Sequence, residues 1–209
     1  MNKNVIENNK IEITGEITSS FEFSHEIFGE KFYIASLSSE RTSGNKDVLQ
    51  ILVSDRMIDM NYEWKGQFVR ITGQIRTHNK RVDGKNKLNI YVFANEVEAM
   101  EGVYHENYAF IEGYVCRNPN YRTTPLGRDI TDLLIAINRR YSKSDYIPCI
   151  CWGRNAIFSS VMEVGTRVRI NGRFQSREYI KKHDDGTSEP MIAYELSANT
   201  IKIVEDSEE

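Results

Sequence analysis

Four rings in the second half of this 209-residue chain have the type and spacing for binding work: Tyr141, Tyr146, Trp152 and Tyr179. Cations recur around them, at Arg122, Arg139, Arg140, Lys143, Arg154, Arg173 and Arg177. Flat faces among fixed cations suit an unpaired nucleic-acid strand. Bases of any identity stack on aromatic rings at about 1–3 kcal/mol per base, and guanidinium groups follow the phosphates. Tyr146 and Trp152 lie an even number of residues apart, so a single strand projects both to one face. Trp152 also fits a core or interface, whereas Tyr141, beside Arg139, Arg140 and Lys143, reads as a wet loop position. The arginines have a blander reading as a solvated face. Arg139 with Arg140, and Arg173 with Arg177, flank the rings in sequence, while Arg167 and Arg169 alternate along a later strand.

Other chemistry finds little support. His25, His78, His105 and His183 are scattered, and no glycine-rich phosphate loop, nucleophile motif or metal-ligand spacing occurs. The expectation is a protein that is not an enzyme and carries no cofactor and no metal. Cys116, Cys149 and Cys151 are odd in number and lack CxxC spacing, which fits small strand residues in a reducing compartment. With no signal-peptide pattern and no apolar run near the roughly 18 residues of a membrane helix, the chain is read as soluble and cytoplasmic, with no membrane partner. The net charge of −3 argues against binding duplex DNA through bulk charge. Residues 104–203 taken alone, however, hold 14 Lys and Arg against 11 Asp and Glu.

The elements that must position these residues read as strands. Ile11 to Phe23 alternates apolar and polar residues around Gly15; Lys31 to Ser38 and Asp47 to Ser54 follow, with Ser43-Gly44-Asn45 as a turn. Asp55 to Glu63 is expected as a short helix. Gln67 to Arg76 and Leu88 to Val97 are two more strands, joined by a polar loop from His78 to Lys87. The same order returns 98 to 104 residues later. Ile13-Thr14-Gly15-Glu16-Ile17 lines up with Ile111-Glu112-Gly113-Tyr114-Val115, Asp47-Val48-Leu49 with Asp145-Tyr146-Ile147, and Gly66 and Gly73 with Gly165 and Gly172. Ala94-Asn95-Glu96-Val97 matches Ala198-Asn199-Thr200-Ile201.

The fold expected is therefore all-β: two tandem five-stranded barrels of the Greek-key OB type, each with a short helix between strands 3 and 4. Gly15 and Gly113 would serve as barrel corners. The expected division is 1–102 for a first, degenerate barrel, 103–204 for a second, strand-binding one, and 205–209 for an acidic tail. The linker near Met100 to Glu106 has no Pro or Ser run, so the barrels are expected to pack together.

The second half resembles bacterial single-stranded DNA-binding proteins. The likeness rests on Gly113, on the loop with Pro119, Arg122, Pro125 and Gly127, and on the segment from Ala136 to Tyr141. It continues through Cys151-Trp152-Gly153, Gly165, Gly172 and Arg173 to Tyr179. Carried over by that resemblance, the stacking aromatics fall on Tyr141, Tyr146, Trp152 and Tyr179. The family assembles four OB barrels, so a chain with two implies a homodimer. The function implied is sequence-tolerant single-stranded DNA binding and protection in replication, recombination or repair.

The first half departs from that pattern, with Val48 and Ser54 in place of Tyr146 and Trp152, and Arg41 where Tyr141 stands. Phe21, Phe23, Phe28, Phe32 and Tyr33 are open to core, inter-barrel or binding roles. Arg76, Lys80, Arg81, Lys85 and Lys87 make a basic hairpin, either solvated or holding a strand backbone. The acidic end, Glu205-Asp206-Ser207-Glu208-Glu209, lacks the apolar residues of the family's recruiting tip. Replication or repair proteins are thus expected as partners only by another route. A rival reading is an OB protein-interaction or primosome-assembly scaffold with residual nucleic-acid binding.

Overall fold

The computed structural model describes residues 8–82, 85–182 and 186–205. Six strands make the first half: β1 (Asn9–Ile17), β2 (Glu22–Ile27), β3 (Glu30–Glu40), β4 (Lys46–Ser54), β5 (Phe68–Val82) and β6 (Lys85–Ala99). Alternation decides which way they face. In β1, Ile11, Ile13 and Ile17 are fully buried, and in β4 Leu49, Ile51 and Val53 point the same way. β3 pairs with β4, β4 runs parallel to β6, β6 pairs with β5, β5 with β1, and β1 returns to β3. The circuit of five is closed, which removes the sheet edges those strands would otherwise expose. The sixth strand, β2, hangs on β3 as a hairpin.

The second half repeats the circuit with β7 (Asn107–Val115), β8 (Asn120–Thr123), β9 (Asp129–Asn138), β10 (Ser144–Trp152), β11 (Arg167–Lys182) and β12 (Ser188–Ile203). Short β8 takes the outer place beside β9. The helix α1 (Arg154–Ser160) lies between β10 and β11 and buries Ala156 and Ser159. Gly15 and Gly113 sit where each circuit closes. A Cβ there would come 2.5 Å from the Ser38 carbonyl oxygen or 2.4 Å from that of Ala136, so only glycine lets the strands approach.

Two features join the halves. β1 and β7 pair antiparallel about Ile11 and Ala109, with Asn9 opposite Ile111 and Ile13 opposite Asn107, so one sheet runs through both circuits. The β5–β6 and β11–β12 hairpins each reach across to the other half, where Thr77 and Ser176 donate backbone N–H groups to Asp145 and Asp47.

Several expectations need correction. Residues 55–67 form turns and not a helix: Met57 N–H donates to the Ser54 carbonyl (3.0 Å), and Tyr62 N–H to the Asp59 carbonyl (3.2 Å). Asp59 draws off the local backbone by accepting from Asn61 N–H, and the Trp64 indole N–H closes the turn on the Asp59 carbonyl. Each circuit also carries a sixth short strand, which a five-stranded unit leaves out. Of the segment expected as a loop, residues 78–82 and 85–87 are strand. β5 runs to Val82 and β6 starts at Lys85 because the two strands pair continuously, and cross-strand pairing outweighs the local polarity. Asp83 and Gly84 lie outside the described residues, as do the side chains of Lys80, Arg81, Lys85 and Lys87, His183, and the tail beyond Glu205. Among the described residues no helix is long and apolar enough to cross a membrane.

Candidate nucleic-acid interface

In β10, Ile147, Cys149 and Cys151 fill the core, so Tyr146, Pro148, Ile150 and Trp152 take the other side, where Tyr146 and Trp152 are exposed and Ile150 is buried. Register extends this side sideways. Trp152 pairs with Ile130 of β9, which pairs with Arg122 of β8. Ile150 pairs with Asp132 and, across the parallel ladder, with Ser197, which pairs with Arg173. Along β11, Phe174 faces the core, so Arg173, Gln175, Arg177 and Tyr179 share the opposite side, where Arg177 and Tyr179 are exposed and Gln175 is buried. Tyr146, Trp152 and Tyr179 thus stand on the same side of the sheet, 41%, 40% and 38% exposed, while Ile150, Gln175, Glu195 and Ser197 on that side are buried.

Two arginines border these rings and are held at fixed angles. Arg122 donates to both Asp132 oxygens, at 3.1 and 3.3 Å. Arg177 donates to both Glu195 oxygens, at 3.2 and 3.3 Å, with its guanidinium 5.8 Å from the Tyr179 ring centroid. The hydrogen bond to Glu195 raises the Arg177 pKa, so its charge is secure at any working pH. Tyr141, 91% exposed, stands apart from the sheet face on the β9–β10 hairpin. Its φ of 61° is left-handed, a conformation that non-glycine residues rarely adopt. Arg140, Lys143 and Arg154 are exposed, with no ion pair among the described residues.

Other predicted cations are placed differently. Arg139 lies 3.2 Å from the fully buried Asp145, and Arg173 lies 3.9 Å from the equally buried Asp47 while donating to Gln175 at 2.8 Å. Burial, helped by neighbouring Arg41, lowers the Arg173 pKa, with Asp47 opposing. Arg167 and Arg169 both grip Glu112 on the β7-paired end of β11, away from the rings. In the first half, Phe32 is core, Phe21 packs against the core, and Phe23 meets Tyr33 edge-on at 5.8 Å while exposed, as Phe28 is. Arg41 matches Arg139 and not Tyr141. Arg41 N–H donates to the Asn45 carbonyl as Arg139 N–H does to that of Lys143, and each arginine grips the aspartate six residues on.

The residues that sequence reasoning missed form this pair of junctions. Asp145 accepts from Thr77 N–H (2.7 Å), Thr77 Oγ1 (3.3 Å) and Arg76 (2.9 Å), while Tyr146 N–H donates to Thr77 Oγ1 (3.0 Å). In its twin, Asp47 accepts from Ser176 N–H (3.0 Å) and from Arg41 (2.6 and 2.7 Å), and Val48 N–H donates to Ser176 Oγ (2.9 Å). The available signal was an aspartate at the same repeat position in both halves, at the head of a strand.

Residues 106–204 match the family model described as the single-strand binding protein family. The second half of the chain is thus similar to the single-strand binding protein family. A single-stranded DNA-binding protein of Oceanobacillus iheyensis is 29% identical over 106 residues, covering 47% of this chain and 63% of that protein. Single-stranded DNA-binding protein B of Bacillus subtilis is 24% identical over 106 residues, covering 47% of this chain and 90% of its own. The chain spans somewhat under two thirds of the length of the first of these relatives. Across both halves, the crystal structure of the wild-type single-stranded DNA binding protein from Thermus aquaticus superposes with a TM-score of 0.77 at 18% identity, covering 96% of this chain and 95% of that one. That likeness is one of fold. The family's domain coincides with the half that carries the ring-bearing face.

Proposed function

We propose that this chain binds single-stranded DNA without strong sequence preference, stacking bases on Tyr146, Trp152 and Tyr179. Arg122 and Arg177 border the path, and Tyr141, Arg140, Lys143 and Arg154 extend it. The observation that carries the reading is three exposed rings on one side of the sheet, flanked by guanidiniums already oriented by carboxylates. Rings held by a sheet lose little freedom when a base stacks, and any base offers a π-face.

In this reading the two closed circuits are tandem OB barrels, 1–102 and 103–204, with 205–209 as an acidic tail. Two chains would pair into a four-barrel homodimer working in replication, recombination or repair in the cytoplasm, its three cysteines kept as thiols. Arg173, whose pairing with Asp47 spans the two halves, serves first to hold them together, which makes it a poorer free phosphate ligand than Arg140 or Arg154.

The test is a fluorescence titration with oligo-dT. Because Trp64 also emits, Trp152→Phe assigns the signal. Binding should quench Trp152 and weaken steeply with salt. Trp152→Ala should cost about 1–3 kcal/mol of affinity. An unquenched Trp152, or affinity indifferent to salt, overturns the proposal.

A further inference from the structure

The junction around Asp145 holds more positive charge than it needs. Arg76 of the first half and Arg139 of the second converge on this one carboxylate, at 2.9 and 3.2 Å, so one positive charge stays unbalanced in the group. Asp145 is also occupied by Thr77 N–H, which leaves it less able to neutralise two guanidiniums. Arg76 donates further to the Gln74 side chain, which is neutral. Arg139 Nε is buried but not aligned on Asp145, and its N–H has no acceptor among the described residues. Both side chains keep a solvent-facing edge, 21% and 29% exposed. The residue next to Asp145 is Tyr146, one of the exposed rings, and its backbone N–H is tied to Thr77 of the crossing hairpin.

We infer that Arg76 and Arg139 together form a phosphodiester-binding site, built from both halves of the chain, beside the base that stacks on Tyr146. The site rests on the single-strand reading and adds to it a binding role for the first half. A phosphate there accepts from the solvent-facing edges of Arg76 and Arg139, and it neutralises the leftover charge. Planar guanidinium forks suit that geometry.

The twin junction supplies an internal control. There too two arginines, Arg41 and Arg173, meet one carboxylate, Asp47, and Arg173 Nε is likewise buried without an acceptor among the described residues, but Arg41 is engaged in two aligned bonds to Asp47 and Arg173 in one to Gln175. Val48 stands where Tyr146 does, so no ring adjoins it. That junction is structural.

The experiment measures oligo-dT affinity against salt for the full chain, its Arg76→Gln variant and its Arg41→Gln variant, with thermal unfolding run alongside. Arg76→Gln should lower the slope of log affinity against log salt by about 0.7, the value per single-strand phosphate, and Arg41→Gln should leave it unchanged. Phenylglyoxal footprinting of the unaltered protein checks the site even where a variant folds poorly: oligo-dT should protect Arg76 and Arg139 but not Arg41. If the unaltered protein binds oligo-dT yet Arg76 and Arg139 stay unprotected, or Arg41→Gln lowers the slope equally, this inference fails while the single-strand reading stands. If the unaltered protein binds no oligo-dT, both fall.

Discussion

Replacing Asp145 by alanine would remove the group on which one whole junction converges. The carboxylate is fully buried and accepts Thr77 N–H at 2.7 Å and Arg76 at 2.9 Å, with Arg139 at 3.2 Å. Alanine would leave Thr77 N–H without its partner and set two guanidiniums against each other. Removing one member of a buried ion pair costs about 3–5 kcal/mol. Here both arginines are partly exposed, at 21% and 29%, and regain water, so the lower end applies, about 3 kcal/mol. For a chain of this size that is a fall of roughly 6–12 °C in Tm. Circular dichroism melts read the shift, and amide hydrogen exchange reads its location: Thr77 and Tyr146, joined across the junction, should both lose protection. Asp47→Ala should act in the same way on Ser176 and Val48. A loss under about 1 kcal/mol, the range of an exposed pair, with Thr77 still protected, would refute the view that this carboxylate clamps the halves.

Three further outcomes follow from the same structure. Burial drives the Cys149 thiol well above its ordinary pKa and Cys151 up to about 11, so near neutral pH a thiol reagent should modify at most Cys116 in the folded protein and all three cysteines after denaturation. Burial pushes the Glu112 pKa up, but hydrogen bonds from Arg169 and Arg167 outweigh it and the net shift is downward. Its stabilisation is therefore present above the unfolded pKa near 4.3 and lost as pH falls through the lower folded value. Melts taken below about pH 5 should show Glu112→Gln with a shallower acid decline than the unaltered protein, and parallel declines would refute it. At Gly172, a Cβ would meet the Ser197 carbonyl oxygen at 2.1 Å, at the register shift in β11, so Gly172→Ala should destabilise by about 1–3 kcal/mol in urea unfolding, and a neutral result would show that the bulge relaxes.

Much of this molecule is legible in its residues because the determinants are local. Ile11, Ile13 and Ile17 alternate with polar neighbours and form one face of β1, and Ile147, Cys149 and Cys151 do the same in β10. Gly15 and Gly113 recur at one repeat position because strand closure admits no Cβ there. Tyr146 and Trp152, an even number of residues apart, fall on one side of β10, as strand alternation requires. The turn at residues 55–67 escaped because Asp59 and Trp64 stabilise a shape that hydrophobic periodicity does not encode.

Tertiary structure alone decided which cations are at liberty. Arg139 and Arg140 are adjacent in the chain, yet one is held by a buried aspartate and the other faces water. The difference arises because Asp145 meets Thr77 and Arg76 across 68 and 69 residues, through a hairpin that crosses from the other half. Alternation along a strand sets which face a side chain takes, since the backbone turns over at every residue. Which distant group waits on that face depends on how whole strands close and cross, and only the folded chain brings them together.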